Sequence, residues 1–410
     1  MTLPAMAEAQ ESNLEARLLE DPSLACCNDH PYVFKPVKDT PAPRGFKPVY
    51  ISHYSRHGSR TAWGDKNYKA VINSLEAASK AGILTEDGDS LLAAVRRCLD
   101  IYGGMDGRLM PRGVREHRML AERMFHRYRR VFRGSRSVRC MGSIVPRSLV
   151  SMNSFTSRLC ALNPKLELSL DTGEKFFHGY ICVVGPDSLT AGCRTIYDSL
   201  TRDMPEDTVS IRPMLFTDVE KSRDVVPNIH SFQGNLLSVA KTAPCMDEDF
   251  DMFRFIPQNV LYKNTKRMDM KIYGRYGNSR GFGEKRVRYG EGLVKDIVAK
   301  ADEALASDGK IAADLRFGHD WALLIAMSRM GIEGVTPYLS VEEVPGAWIS
   351  AENLCMASNL QLIFYRNRKG EVLVKFLYQE QERLLTGLEP VSGPYYRWED
   401  IKTKFNVNER

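Results

Sequence analysis

No apolar run in this 410-residue chain approaches the roughly 18 residues that a membrane span requires, and Met1 to Glu20 contains no apolar core of the kind a secretory leader carries. That excludes a helical membrane span. Cys-x-x-Cys is also missing. The nine cysteines (Cys26, Cys27, Cys98, Cys140, Cys160, Cys182, Cys193, Cys245 and Cys355) are scattered, which excludes a zinc ribbon and a vicinal redox pair. Their odd number leaves at least one thiol unpaired in a monomer. Most read as buried small hydrophobes, with one or two disulfides open to them in an oxidising compartment. Nor is there zinc-finger spacing, an RNA-binding signature or a basic heptad, which argues against nucleic acid as a partner. His117 and His126 lie nine residues apart on one helical stretch, which is not ligand spacing, so neither a metal nor any other cofactor is expected.

What is present is ordinary for a globular chain: 43% hydrophobic and 26% charged residues, in a length that suits about two lobes. The net charge of +6 is unevenly spread. Eleven arginines fall between Arg108 and Arg139 against Glu116 and Glu122, and nine basic residues between Lys263 and Arg288 against Asp269 and Glu284. Such stretches serve either as solvated faces or as a rim that attracts an anionic substrate. Leu3-Pro4-Ala5-Met6-Ala7, followed by Glu8, resembles the small-residue end of a leader cleavage site. It fits a trimmed leader, hence a periplasmic or secreted protein, and equally an ordinary flexible terminus.

Residues 1–45, rich in proline towards their end, read as an extended lead-in. Pro48 to Tyr54 is dense in β-formers and stops directly at Arg56-His57-Gly58-Ser59-Arg60. Lys69 to Ile101 has helical spacing, and Gly113 opens an amphipathic helix with Ala121, Met124, Phe125 and Phe132 on its apolar side. Ser137 to Met141 reads as a second strand leading to Pro146-Arg147-Ser148, and Leu149 to Leu162 as a helix. The pattern weakens over 161–290, which reads as an inserted, mainly helical cap. It returns in a helix carrying Leu293, Ile297 and Ala301, a strand from Ile311 to Phe317, and an apolar helix after Gly318-His319-Asp320. Leu360 to Tyr365 and Val372 to Tyr378 form a hairpin. The expected fold is α/β: a central, mostly parallel sheet flanked by helices, made from residues 46–160 and 291–410.

Three chemically suggestive segments fall at or just past strand ends, where ligands bind in such sheets. Arg56, Arg60 and Arg147 can offer paired N–H donors to the oxygens of a phosphate. Among them His57 would be kept unprotonated by its charged neighbours and free to attack phosphorus. Gly58 removes a Cβ from the approach of backbone to anion. Asp320 is the candidate proton donor to the leaving alkoxide, and His319, at a helix amino terminus, a further phosphate contact. Arg139 and Arg158 compete with Arg147 for its role, and His53 reads as structural or as a support behind the site.

Taken together these segments resemble the histidine acid phosphatases, the branch that includes acid phytases and multiple inositol polyphosphate phosphatases. The family's Arg-His-Gly-x-Arg matches Arg56 to Arg60, its Arg-x-x-x-Ser matches Arg147 to Ser151, and its His-Asp matches His319-Asp320. Gly107 to Gly113 is a further family-like segment, and Tyr395 to Trp398 resembles bacterial members. The resemblance spans about residues 30–400. It implies a metal-independent phosphomonoesterase, active in acid through a phosphohistidine, on a small anionic phosphorylated substrate such as phytate. Broad action on sugar phosphates or nucleotides, or phosphate binding without turnover, are the alternatives. Two departures stand out: Thr61-Ala62 where many members have x-Pro, and His-Asp where the inositol polyphosphatases usually have His-Ala-Glu.

One motif points elsewhere. Gly277-Asn278-Ser279-Arg280-Gly281 matches the elbow of serine hydrolases, but no apolar strand precedes it, so a basic loop is the better reading.

Overall fold

The computed structural model describes residues 13–176 and 187–405. The cleavage-like stretch Leu3 to Glu8 and Cys182 lie outside the described residues. The first long strand, β1 (Lys47–Arg56), is buried from Tyr50 onward, as expected of β-branched and aromatic residues in the middle of a covered sheet. It pairs in parallel with β4 (Ile311–Gly318), which pairs in parallel with β2 (Ser137–Gly142), itself parallel to β3 (Glu167–Thr172). On its other side β1 pairs antiparallel with β5 (Asn359–Arg366), and β6 (Val372–Tyr378) and β7 (Gln381–Arg383) follow. The eight-stranded sheet thus has the order β3-β2-β4-β1-β5-β6-β7, with β8 (Tyr396–Arg397) on β6.

The two-residue period of β1 and β4 sends side chains to two cores. Ile51, Leu315 and Phe317 meet Leu120, Met124, Phe155 and Leu159 from helices Pro111–Arg127 and Pro146–Leu162. Tyr50 and Tyr54 meet Leu293, Ile297, Leu323 and Met327 from helices Glu291–Ala306 and Asp320–Met330. Charges inside β4 are paired, as burial demands. Asp314 accepts from Arg139 at 2.7 Å, and Arg316 from the same strand reaches Asp296 at 2.6 Å.

Two expectations are corrected. β3 falls inside the segment read as cap, yet it is the sheet's edge strand. Its side chains are almost all exposed, so Glu167-Leu168-Ser169-Leu170-Asp171-Thr172 has no buried face to mark it. The lead-in is extended only from about Pro31. Residues 13–20 are helical, and a 3-10 segment, Pro22–Asp29, follows. Leu14, Leu18 and Leu24 are buried in a third core with Leu75, Leu91 and Val95 from helices Lys66–Lys80 and Glu86–Tyr102. The same core takes Ile211, Phe232 and Leu236 from the inserted segment. The second lobe is thus assembled from several stretches of chain, and among the described residues no helix is long and apolar enough to cross a membrane.

All eight cysteines among the described residues are free thiols, seven of them buried. Burial pushes the Cys27 and Cys245 thiols up to about 12, the state of inert core residues.

Candidate active site

The parallel register brings three strand ends level. Arg56 lies opposite Gly318, and Gly142 opposite Phe317. His57 extends the ladder by one bond, its N–H donating to Gly318 O at 3.0 Å. All six residues singled out in the sequence meet here, each of them buried: Arg56, His57, Arg60, Arg147, His319 and Asp320.

Gly58 and Gly113 are required by their contact. A Cβ on Gly58 would fall 2.7 Å from Gly113 Cα, and one on Gly113 would fall 2.4 Å from Ser59 O. This is how the Gly107 to Gly113 segment supports the loop: Met110 N–H donates to Ser59 O at 2.8 Å and Thr61 N–H to Arg108 O at 2.9 Å. Glu116, buried on the following helix, accepts from Ser59 N–H at 2.8 Å and from its hydroxyl at 2.7 Å. Ser151 accepts the Gly58 N–H at 3.1 Å, so helix Pro146–Leu162 holds the loop from the other side while presenting Arg147.

The chemistry of His57 follows from one contact. Nδ1 lies 3.0 Å from Gly58 O, and a carbonyl only accepts, so Nδ1 carries the proton and Nε2 keeps its lone pair. Burial first, then Arg56, Arg147, His319 and Arg60, hold the imidazole well below its usual range, so it stays neutral in mild acid. The His319 ring centroid is 5.7 Å away. His319 stacks on Trp321, with its Nε2 3.0 Å from Ser143 Oγ, and burial followed by Arg147 lowers its pKa as well.

The three arginines are used differently. Arg56 donates to Leu354 O at 2.8 Å and to Asn28 O, and its Nη2 lies 3.2 Å from Asp320 Oδ2. Arg60 donates to Thr61 O at 3.0 Å and pairs with Asp29 at 2.8 Å. Arg147 makes no hydrogen bond or ion pair among the described residues, and its Nε is buried without a partner. Burial first, then Arg60 and Arg56, pull its guanidinium down to about 10. It remains charged in neutral and acid solution, with its donors unspent and its neighbours repelling it. An entering anion relieves both conditions.

Burial would raise Asp320, but Arg56, the Asn28 amide at 2.6 Å and the Trp321 N–H at 3.0 Å outweigh it and lower its pKa. At rest it is a carboxylate.

Four contributors escaped the sequence reading. Asn28 and Asp29 arrive from the 3-10 segment, where Cys27 at φ 54° and ψ −135° turns the chain; only their short polar side chains before Pro31 hinted at them. Trp63 is 64% exposed, yet the guanidinium carbons of Arg60 and Arg147 lie 4.4 and 4.7 Å from its ring centroid. An aromatic three residues past the motif was its only signal. Glu116 was counted as a charge and not as a partner.

The remaining candidates go elsewhere. Arg139 binds Asp314 and Glu303, and Arg158 binds Glu122 at 3.0 Å. In the basic stretch from Lys263 to Arg288, Lys263 and Arg267 pair with Glu206 and Asp198. His53 packs between Phe155 and Phe317 with both ring nitrogens unpartnered, a structural placement. Ser279 is buried past the end of helix Gln258–Tyr276 with its hydroxyl on Gly274 O at 3.2 Å, so no strand-to-helix elbow exists there. Among the described residues no group of three His, Cys, Asp or Glu could hold a metal ion.

No protein-family model matches the chain, and no curated protein matches it by sequence. Solved structures do. The apo multiple inositol polyphosphate phosphatase of Bifidobacterium longum superposes with a TM-score of 0.72 at 17% identity, over 92% of this chain and 96% of that one. The same phosphatase in complex with inositol hexasulfate gives 0.67 at 16%, over 94% and 98%. The phytase from D. castellii gives 0.62 at 14%, over 93% and 84%. The chain shares the α/β fold of these phosphatases and phytases.

Proposed function

We propose that the chain is a histidine-type phosphomonoesterase that works through a phosphohistidine on His57 and takes inositol polyphosphates such as phytate. The observation that carries this reading is the fixed tautomer of His57 inside a clamp with unspent donors: Nδ1 is committed to Gly58 O, and the Arg147 guanidinium is unpaired among the described residues.

Hydrolysis of a phosphate monoester needs about 20 kcal/mol or more of transition-state stabilisation, most of it positional and electrostatic. Arg147 takes the non-bridging oxygens together with Arg56 and Arg60, and His57 Nε2 attacks in line. The phosphorus–oxygen bond to the leaving group breaks as the nitrogen–phosphorus bond forms. Asp320 is a carboxylate at rest, so it must first gain a proton. A monoanionic ester, the prevalent form in acid, brings one, and its charge offsets the hold of Arg56 on Asp320. Asp320 then protonates the leaving alkoxide, and in the second half it takes a proton from the water that cleaves the phosphohistidine.

A polyphosphorylated ring as substrate is supported by the Bifidobacterium longum fold neighbour solved with inositol hexasulfate, and by Trp63, which offers a broad apolar surface beside the clamp. Phosphate release across inositol phosphates, sugar phosphates and nucleotides tests it. Inositol hexakisphosphate should show the highest kcat/KM; a nucleotide or sugar phosphate ahead of it would transfer the substrate assignment and leave the mechanism standing.

A further inference from the structure

The arginine-rich stretch from Arg108 to Arg139 is not absorbed by the catalytic site. Five of its eleven members are neutralised: Arg112 by Glu116, Arg115 by Asp247, Arg123 by Glu380, Arg127 by Asp39, Arg139 by Asp314. Arg130 and Arg133 are not. Both are exposed, and neither forms a hydrogen bond or ion pair among the described residues.

They stand on the wall of a cavity of about 550 Å³ at the start of β1, and so at the opposite end of the sheet from His57. Ten residues of strand separate the two, roughly 30 Å. Arg136 and Arg366 complete a group of four guanidiniums there, against one carboxylate, Asp308. Arg136 is spent on backbone carbonyls, including Gly309, Val49 and Ile311. Arg366 donates to Leu305 O, but its Nε is buried without a partner. Burial first, and then Arg130, lower the pKa of Arg136, so the guanidiniums in this cavity already oppose one another. A neighbouring hollow of about 490 Å³ shares Arg130 and Arg133 and adds Arg129 beside Phe132 and Leu162.

We propose that this cavity is a second binding site, for a small organic molecule carrying two or more phosphate groups. Its volume falls in the range of small-ligand sites, and Pro48, Val49 and Ala304 give it an apolar wall for a carbon frame. Arg130, Arg133 and the free edge of Arg366 supply donors for separate phosphates, and Arg129 extends the reach into the adjoining hollow. No histidine lines either space, so a bound ester would be held and not cleaved. The site stands independently of the catalytic reading.

Calorimetric titration of the full chain carrying His57→Ala with inositol hexakisphosphate tests it. Two classes of site are expected. Adding Arg130→Ala and Arg133→Ala should weaken one class by at least about tenfold and leave the other unchanged. In the chain with His57 intact, the same two substitutions should leave hydrolysis of p-nitrophenyl phosphate unaltered, which shows that the fold survives. A single class of site, or two classes indifferent to the arginine substitutions, would overturn the proposal. So would a site that takes duplex RNA but not the small polyphosphate.

Discussion

At the carboxyl ends of β1, β2 and β4 three guanidiniums share space with His57, His319 and Asp320, whereas at the amino ends of the same strands four arginines meet a single aspartate. Both places are proposed to hold phosphate groups. The difference lies in what accompanies the charge. At the carboxyl ends an imidazole has its tautomer set by Gly58 O, and a carboxylate is held 3.2 Å from Arg56. Those parts sit on strand ends and a helix start, fixed by backbone pairing. Arg130 and Arg133 are exposed side chains on the connection between helix Pro111–Arg127 and β2. Positive charge concentrates an anion; a placed nucleophile and proton donor turn it over.

The sharpest way to break this comparison is to make the first end resemble the second. His57→Ala should remove phosphate release from p-nitrophenyl phosphate by more than about a thousandfold while phosphate still binds, since the arginines remain. Asp320→Asn should slow phosphoryl transfer from an alkyl phosphate by about 10² to 10⁴, and from p-nitrophenyl phosphate far less, because only the poor leaving group needs its proton; single-turnover release of the alcohol from both esters checks this. Arg147→Ala should lower kcat by about 10² to 10³, whereas Arg130→Ala at the other end should not change it.

Stability should also separate the ends. His53 and His117 are buried just behind the Arg56 to Arg60 loop, His53 with both ring nitrogens unpartnered, and burial lowers both to about 3 from 6.5. The unfolded chain therefore binds more protons between those values. The stability these histidines contribute is complete above about pH 6.5 and is lost as the pH falls towards 3, several kcal/mol at the limit. Tm measured from pH 7 down to 4 should fall steadily, and His53→Phe should flatten the fall; an unchanged profile would contradict the neutral buried ring. Smallest is the effect of Trp63→Ala, which should raise KM about two- to fivefold through loosened arginines, with Trp63→Phe restoring most of it.

How much of this was legible in the sequence depended on locality. Arg56 to Arg60 follows a run of β-formers without a gap, so the motif and its strand announced each other. His319-Asp320 did the same between β4 and an apolar helix. Three groups of residues far apart in the chain converged because parallel pairing levels the strand ends, a rule that needs only the order of elements. What stayed hidden depends on contacts. Asn28 and Asp29 reach the arginines only because a left-handed Cys27 turns a segment that composition alone marks as a tail. β3 buries almost nothing and so carries no periodicity. The pairing of Arg139 with Asp314, which leaves Arg147 to the site, is a register fact that no spacing encodes.

The central claim is that His57 Nε2 takes the phosphoryl group. Mixing the Asp320→Asn chain with p-nitrophenyl phosphate, quenching in alkali and mapping the modified peptide by mass spectrometry tests it directly. The expected result is a burst of nitrophenol with the phosphoryl group on His57. Turnover with phosphate on another residue, or with His57 never modified, would contradict it.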